Sequence, residues 1–204
     1  MSTNLLLNLL PSVSFDQTFL FKRKVWLQDK FSELEELLLN RRRQLTGYAG
    51  VPFVLLVYPP EAEVECREQQ EHLFEKLQAK GLSIEVIPVH QLLFETLRQN
   101  GVLEDVFQLE VGDEGFMLEQ LSILYKDALF DKLTQVADEA TPDSVLFLTR
   151  VASLYPFVRI GSLLSELENK VNMPLVIFYP GSEGEGKLSF LNVLEGSYYR
   201  ARVI

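Results

Sequence analysis

Val51-Pro52-Phe53-Val54-Leu55-Leu56-Val57-Tyr58-Pro59-Pro60-Glu61 is the stretch on which the fold turns. Phe53 to Tyr58 is an unbroken apolar run of strand length, without the polar alternation of a sheet that keeps one face wet, so it reads as a strand buried on both sides. Pro59-Pro60 ends it, and Glu61, Glu63 and Glu65 open a polar helical stretch that runs through Lys80 and stops at Gly81. The same order then repeats. Ile84 to Val89 is a second strand signal, and Leu92, Leu93, Phe94 and Leu97 form a short helix stopped at Asn100-Gly101. Leu103 to Leu109 adds a helical piece, and Asp113 to Ala140 carries Leu118, Leu121, Leu124, Tyr125, Leu129 and Leu133 at helical intervals. Ser144 to Thr149 is a third apolar run, Leu154 to Lys170 a helix, Pro174 to Tyr179 a fourth run, and Tyr198 to Ile204 a fifth strand.

Upstream, Phe31, Leu34, Leu37, Leu38 and Leu45 recur at helical spacing, with Glu33, Glu35 and Glu36 early and Arg41, Arg42 and Arg43 late, before Gly47 and Gly50. Strands separated by helices cannot pair through hairpins; they pair in parallel through right-handed crossovers. The expectation is a single α/β domain, residues 29–204, with a mostly parallel central sheet of about five strands flanked by helices. Residues 1–28 form an N-terminal appendage whose leucines pack on the domain or on a partner.

The 204 residues, 47% of them hydrophobic and 24% charged, suffice for one buried core without disulfides. A formal charge of −10 speaks against a broad phosphate-binding face. Arg41 to Arg43 are the densest basic cluster, and at a helix end they also complement its dipole. Cys66 is the only cysteine, which excludes an internal disulfide and suits a reducing compartment. No apolar run approaches the ~18 residues of a membrane span. Met1 to Leu10 lacks the cationic start and cleavage site of a signal peptide, so a soluble cytoplasmic protein is expected.

In an open α/β sheet the functional groups gather beyond the carboxyl ends of the strands, here the turns after Tyr58, Val89, Thr149 and Tyr179. Gly181-Ser182-Glu183-Gly184-Glu185-Gly186-Lys187 has the spacing of a phosphate-cradling loop. Its chemistry differs: Leu188 stands where a hydroxyl would hold Mg²⁺, two glutamates would repel a triphosphate, and the sequence that follows is strand-like. Glu61 and Glu63 read as a first-turn dipole cap or as a carboxylate pair, and Arg67 is spaced to pair with Glu63. His72 and His90 join no cysteine or carboxylate in a ligand spacing, which points to no metal and no histidine triad. Arg150 and Arg159 flank Tyr155-Pro156 after the third strand, where they can bind a partner's carboxylates or pair internally.

The order of motifs resembles the BrxB family, a small component of bacterial BREX phage-defence systems. It is carried by Pro52-Phe53 with Tyr58-Pro59-Pro60-Glu61, by Leu148-Thr149, Val151, Tyr155-Pro156 and Arg159, by Pro174-Leu175-Val176 with Phe178-Tyr179-Pro180-Gly181, and by Tyr198-Tyr199-Arg200. The similarity runs from about Phe31 to the carboxyl end. Ala152 and Gly161 depart from the family's usual glycine and histidine, and the Gly181 loop is more acidic than usual.

The resemblance implies a protein without catalysis or cofactor of its own. It would act beside other BREX proteins, with a PglZ-like phosphatase-family component as its direct partner, supporting phage restriction and host DNA methylation. Tyr58, Pro59, Pro60, Glu61, Arg67, Arg150, Tyr155, Arg159, Tyr179, Gly181, Tyr199 and Arg200 are the candidate interaction or structural residues. The rival reading is a nucleotide- or phosphate-binding α/β domain using the strand-end turns, with Lys187 or Arg150 on phosphate. Direct nucleic-acid binding fits the acidic composition least.

Overall fold

The computed structural model describes residues 17–41, 44–45, 50–108, 114–194 and 197–204. The first sixteen residues, Arg42, Arg43, Gly47, Leu109 and Asp113 therefore lie outside the described residues. The chain forms helix α1 (Gln17–Asn40), strand β1 (Phe53–Tyr58), a 3-10 turn (Pro60–Ala62), α2 (Glu63–Ala79), β2 (Ser83–Pro88), α3 (Val89–Gln99), α4 (Leu103–Gln108) and α5 (Glu114–Asp138). It continues with β3 (Ser144–Thr149), a second 3-10 turn (Val151–Leu154), α6 (Ile160–Leu167), β4 (Leu175–Gly184), β5 (Lys187–Phe190) and β6 (Arg202–Val203).

The strand order is β2-β3-β4-β1-β6, every neighbour on that path parallel, with β5 added as an antiparallel partner of β4. The expected α/β domain with a mostly parallel, helix-flanked sheet is thus present. Its register sets Phe53 beside Leu175 and Tyr58 beside Pro180. Every residue of β1 and β3 is buried, which is why their sequences read as continuous apolar runs.

Alternate strand residues feed two cores. Val54, Leu56, Tyr58, Phe147, Val176 and Phe178 face α1 and α2, while Phe53, Leu55, Val57, Leu148, Ile177 and Tyr179 face α3, α5 and α6. From β1 the chain crosses two strands to the far edge through α2 on one face. It then returns strand by strand through α3–α5 and α6 on the other face. Reversing direction while changing faces keeps all three crossovers of one hand.

Three elements differ from the expectation. The helix expected over Phe31–Leu45 starts at Gln17, so residues 17–28 are helical and continuous with the rest of α1, and Leu27 is buried in the core. The helix expected over Leu154–Lys170 is split. Tyr155, extended at ψ 136°, precedes Pro156 in a cis peptide, and proline disfavours helical backbone in the residue before it, so α6 starts only at Ile160. The fifth strand shrinks to Arg202–Val203 beside β1, while Ser197 bridges Leu188 of the hairpin that the sequence reading lacked.

Candidate functional site

Beyond the carboxyl ends of β1, β2 and β3 the turns bring together Tyr58, Glu63, Arg67, His90 and Arg150. Pro59 leaves β1 extended and Pro60, which has no N–H to satisfy, starts the 3-10 turn closed by the Ala62 N–H on the Pro59 carbonyl (2.8 Å). That turn places Glu63 back over the strand end, where the buried Tyr58 hydroxyl donates a short hydrogen bond to its carboxylate. Arg67, one helical turn on, sets its Nε 3.5 Å from Glu63 Oε1 and 3.3 Å from the Glu63 carbonyl.

Arg150 leaves β3 in the left-handed conformation (φ 60°, ψ 34°), its carbonyl accepting from Ser153 Oγ at 2.8 Å, and brings Nη1 to 3.9 Å from the same Glu63 oxygen. Glu63 is therefore a hub with three donors around it. Glu61 is exposed in the preceding turn.

The electrostatics follow from burial. The Tyr58 hydroxyl is pushed far above the phenol range by desolvation, with the charge and hydrogen bond of Glu63 adding to it. Cys66, fully buried beneath the hub, accepts a hydrogen bond from Gln70 (3.3 Å), and burial pushes its thiol up to about 12, which removes the thiolate needed for nucleophilic chemistry. His90 opens α3 with Nδ1 buried and without a hydrogen-bond partner among the described residues, and desolvation together with the Arg150 charge lowers its pKa. Among the described residues no group of three His, Cys, Asp or Glu is arranged to hold a metal ion.

A second group surrounds the β4–β5 hairpin. Tyr179, fully buried, has its hydroxyl 3.1 Å from that of Tyr199, the rings edge to face at 5.6 Å, and Phe190 packs against it at 5.2 Å. Gly181 is required there: a Cβ would stand 2.1 Å from the Ser189 carbonyl oxygen across the hairpin. Tyr199 borders a groove of about 870 Å³ shared with Arg159, Phe190, Val193, Leu194 and Tyr198. Arg159, exposed just before α6, makes no ion pair among the described residues, and Tyr155 is likewise exposed. Arg200 lies apart, paired with Glu168 at 2.7 Å and held against Gly50.

The Gly181–Lys187 stretch is not a phosphate cradle. Gly181 to Gly184 ladder with Lys187 to Phe190, and the two-residue turn Glu185-Gly186 has φ of 52° and 75°, so the chain reverses as a hairpin where a phosphate loop would lead into a helix. Lys187 sits over the Tyr198 ring, 5.7 Å from its centroid. Sequence reading placed Tyr58, Arg67 and Arg150 at strand ends. It gave Glu63 no central part, because Arg150 joins the hub only through strand order.

Fold and site together define a parallel α/β domain whose strand-end charges are paired with one another and whose hairpin side presents a half-open aromatic groove. The chain belongs to the BrxB family: the family's sequence model, described as BREX protein BrxB, matches residues 85–204. A relative from Bacillus cereus (strain H3081.97), named BREX protein BrxB, is 27% identical over 157 residues, covering 74% of this chain and 82% of that protein. No solved structure matches the chain. Among the described residues no helix is long and apolar enough to cross a membrane.

Proposed function

We propose that this chain is a protein-interaction subunit of a BREX phage-defence complex, without catalysis of its own, that binds a PglZ-like phosphatase-family component and through it supports phage restriction and host DNA methylation. Membership of the BrxB family supports the defence setting. The observation that carries the interaction reading is how the side chains are disposed. At the strand ends, where an α/β enzyme keeps its reactive groups, Glu63 is shared by Tyr58, Arg67 and Arg150. Around the hairpin, by contrast, Val193 and Tyr198 stand 68% and 72% exposed beside Arg159, which has no ion pair among the described residues. Large exposed apolar side chains with an arginine among them are the composition of a protein-binding surface.

Coexpression of the untagged chain with a tagged PglZ-like component from the same defence locus, followed by pull-down and size exclusion with light scattering, tests this. A stoichiometric complex is expected. Two separate peaks with all components present overturn it.

A further inference from the structure

Among the described residues strand β2 closes one side of the sheet and pairs only with β3. The Ser83 N–H donates to the Asp143 carbonyl at 3.0 Å, which fixes the parity: Ser83, Glu85 and Ile87 bond toward β3, and Ile84 and Val86 direct their N–H and C=O groups outward. Among the described residues no main-chain bond reaches those two from outside. Among the described residues the edge has no lysine and no bulge, its proline, Pro88, comes only at the end, and Glu85 is its one charged residue. Val86 is 39% exposed, on the face whose other strands are covered by α1 and α2. Glu85, on the opposite face, is exposed and forms no ion pair among the described residues.

The charge around this edge is one-sided. Residues 61–105, which run from the 3-10 turn through α2, β2 and α3 into the start of α4, hold ten carboxylates against four cations and so carry six of the chain's ten net negative charges. Of those cations, Arg67 and Lys76 already pair with Glu63 and Glu35. A second copy of this chain is a poor occupant, since self-pairing sets two acidic flanks together, with Glu85 against Glu85 where the pairing centres there.

We infer that the β2 edge receives an extended, cation-bearing segment of the partner as an added strand. Its main chain would bond Ile84 and Val86, a lysine or arginine would lie beside Glu85, and an apolar residue would cover Val86. The inference rests on the interaction reading above and adds the β2 edge, with its chemistry, to the hairpin groove as a contact surface.

Residue-resolved hydrogen exchange on the coexpressed complex tests it. The Ile84 and Val86 amides are expected to slow at least tenfold on complex formation, while Ser83, Glu85 and Ile87, already bonded to β3, change little. Glu85→Lys should weaken the complex at least fivefold. Val86→Pro, which removes an outward N–H and the exposed valine side chain without deleting a donor to β3, should reduce the protection of Ile84. A complex that forms with Ile84 and Val86 still exchanging freely overturns this inference and leaves the interaction reading standing. Absence of any complex overturns both. Concentration-dependent protection of the same amides in the isolated chain assigns the edge to a second copy and overturns the partner assigned here.

Discussion

Glu63 is the residue on which the carboxyl-end surface depends, because three donors of different origin meet on one carboxylate: a buried phenol from β1, an arginine one turn along its own helix and an arginine delivered by β3. Glu63→Ala leaves the buried Tyr58 hydroxyl without its acceptor and is expected to cost about 2 kcal/mol, whereas Glu63→Gln keeps an acceptor and costs about 1 kcal/mol, both read from urea unfolding midpoints. The neighbouring thiol makes a prediction in pH. Cys66 is raised from 9.0 to about 12 and Tyr125, whose hydroxyl donates to the Val89 carbonyl at 2.5 Å, from 10.0 to about 12. Both are neutral in the native state while the unfolded chain already ionises, so the unfolded state binds fewer protons and stability falls as pH rises. The loss starts near pH 9 with Cys66 alone, at a slope of about 1.4 kcal/mol per pH unit, and steepens above pH 10 as Tyr125 and the likewise raised Tyr58 and Tyr179 ionise in the unfolded chain. Denaturation series at pH 8, 9, 10 and 11 should show that onset, and Cys66→Ala should remove most of the slope between pH 9 and 10.

The β4–β5 hairpin is the element whose sequence misleads. Its glycines and Lys187 imitate a phosphate loop, yet two of the three glycines have a structural reason: Gly181 lets the strands approach across Ser189, and Gly186 occupies a left-handed turn position. Gly181→Ala is expected to destabilise by about 3 kcal/mol, because the obstructing atom is backbone and cannot swing aside. Glu185→Asn should stabilise by roughly 0.5 kcal/mol, asparagine being at ease at the φ of 52° that glutamate holds there. Thermal unfolding of the two variants checks both signs. What the sequence made legible follows the same physics. β1, β3 and the first half of β4 are buried on both faces and announce themselves as apolar runs, whereas β5 is four residues of mixed polarity held by its partner strand. The Glu63–Arg67 contact is visible at helical spacing, but the approach of Arg150 depends on β3 lying across β4 from β1, an order that no local pattern encodes.

At the scale of the molecule, topology and charge reinforce each other. Placing β2 at the edge leaves α2, β2 and α3 together on one flank, and the stretch from the 3-10 turn through the start of α4, residues 61–105, carries six of the ten net negative charges. A partner that docks there approaches through an attractive field acting over about one Debye length, ~10 Å at 0.1 M salt and ~3 Å at 1 M. Docking through the groove bordered by Val193, Tyr198 and Tyr199 instead would bury mostly apolar and aromatic surface. The two routes differ in kinetics. Electrostatic steering raises the association rate and is lost with salt, while dissociation, governed by short-range contacts, responds weakly. Stopped-flow or surface-binding measurements with the PglZ-like component should therefore show the association rate falling about tenfold or more between ~0.05 and ~0.5 M NaCl, with dissociation changing less than about threefold. Glu85→Lys should flatten part of that dependence, as the edge loses negative charge where the cationic segment arrives. A rate that ignores salt would instead place the contact on the aromatic groove, where Tyr198→Ala rather than Glu85→Lys would control dissociation.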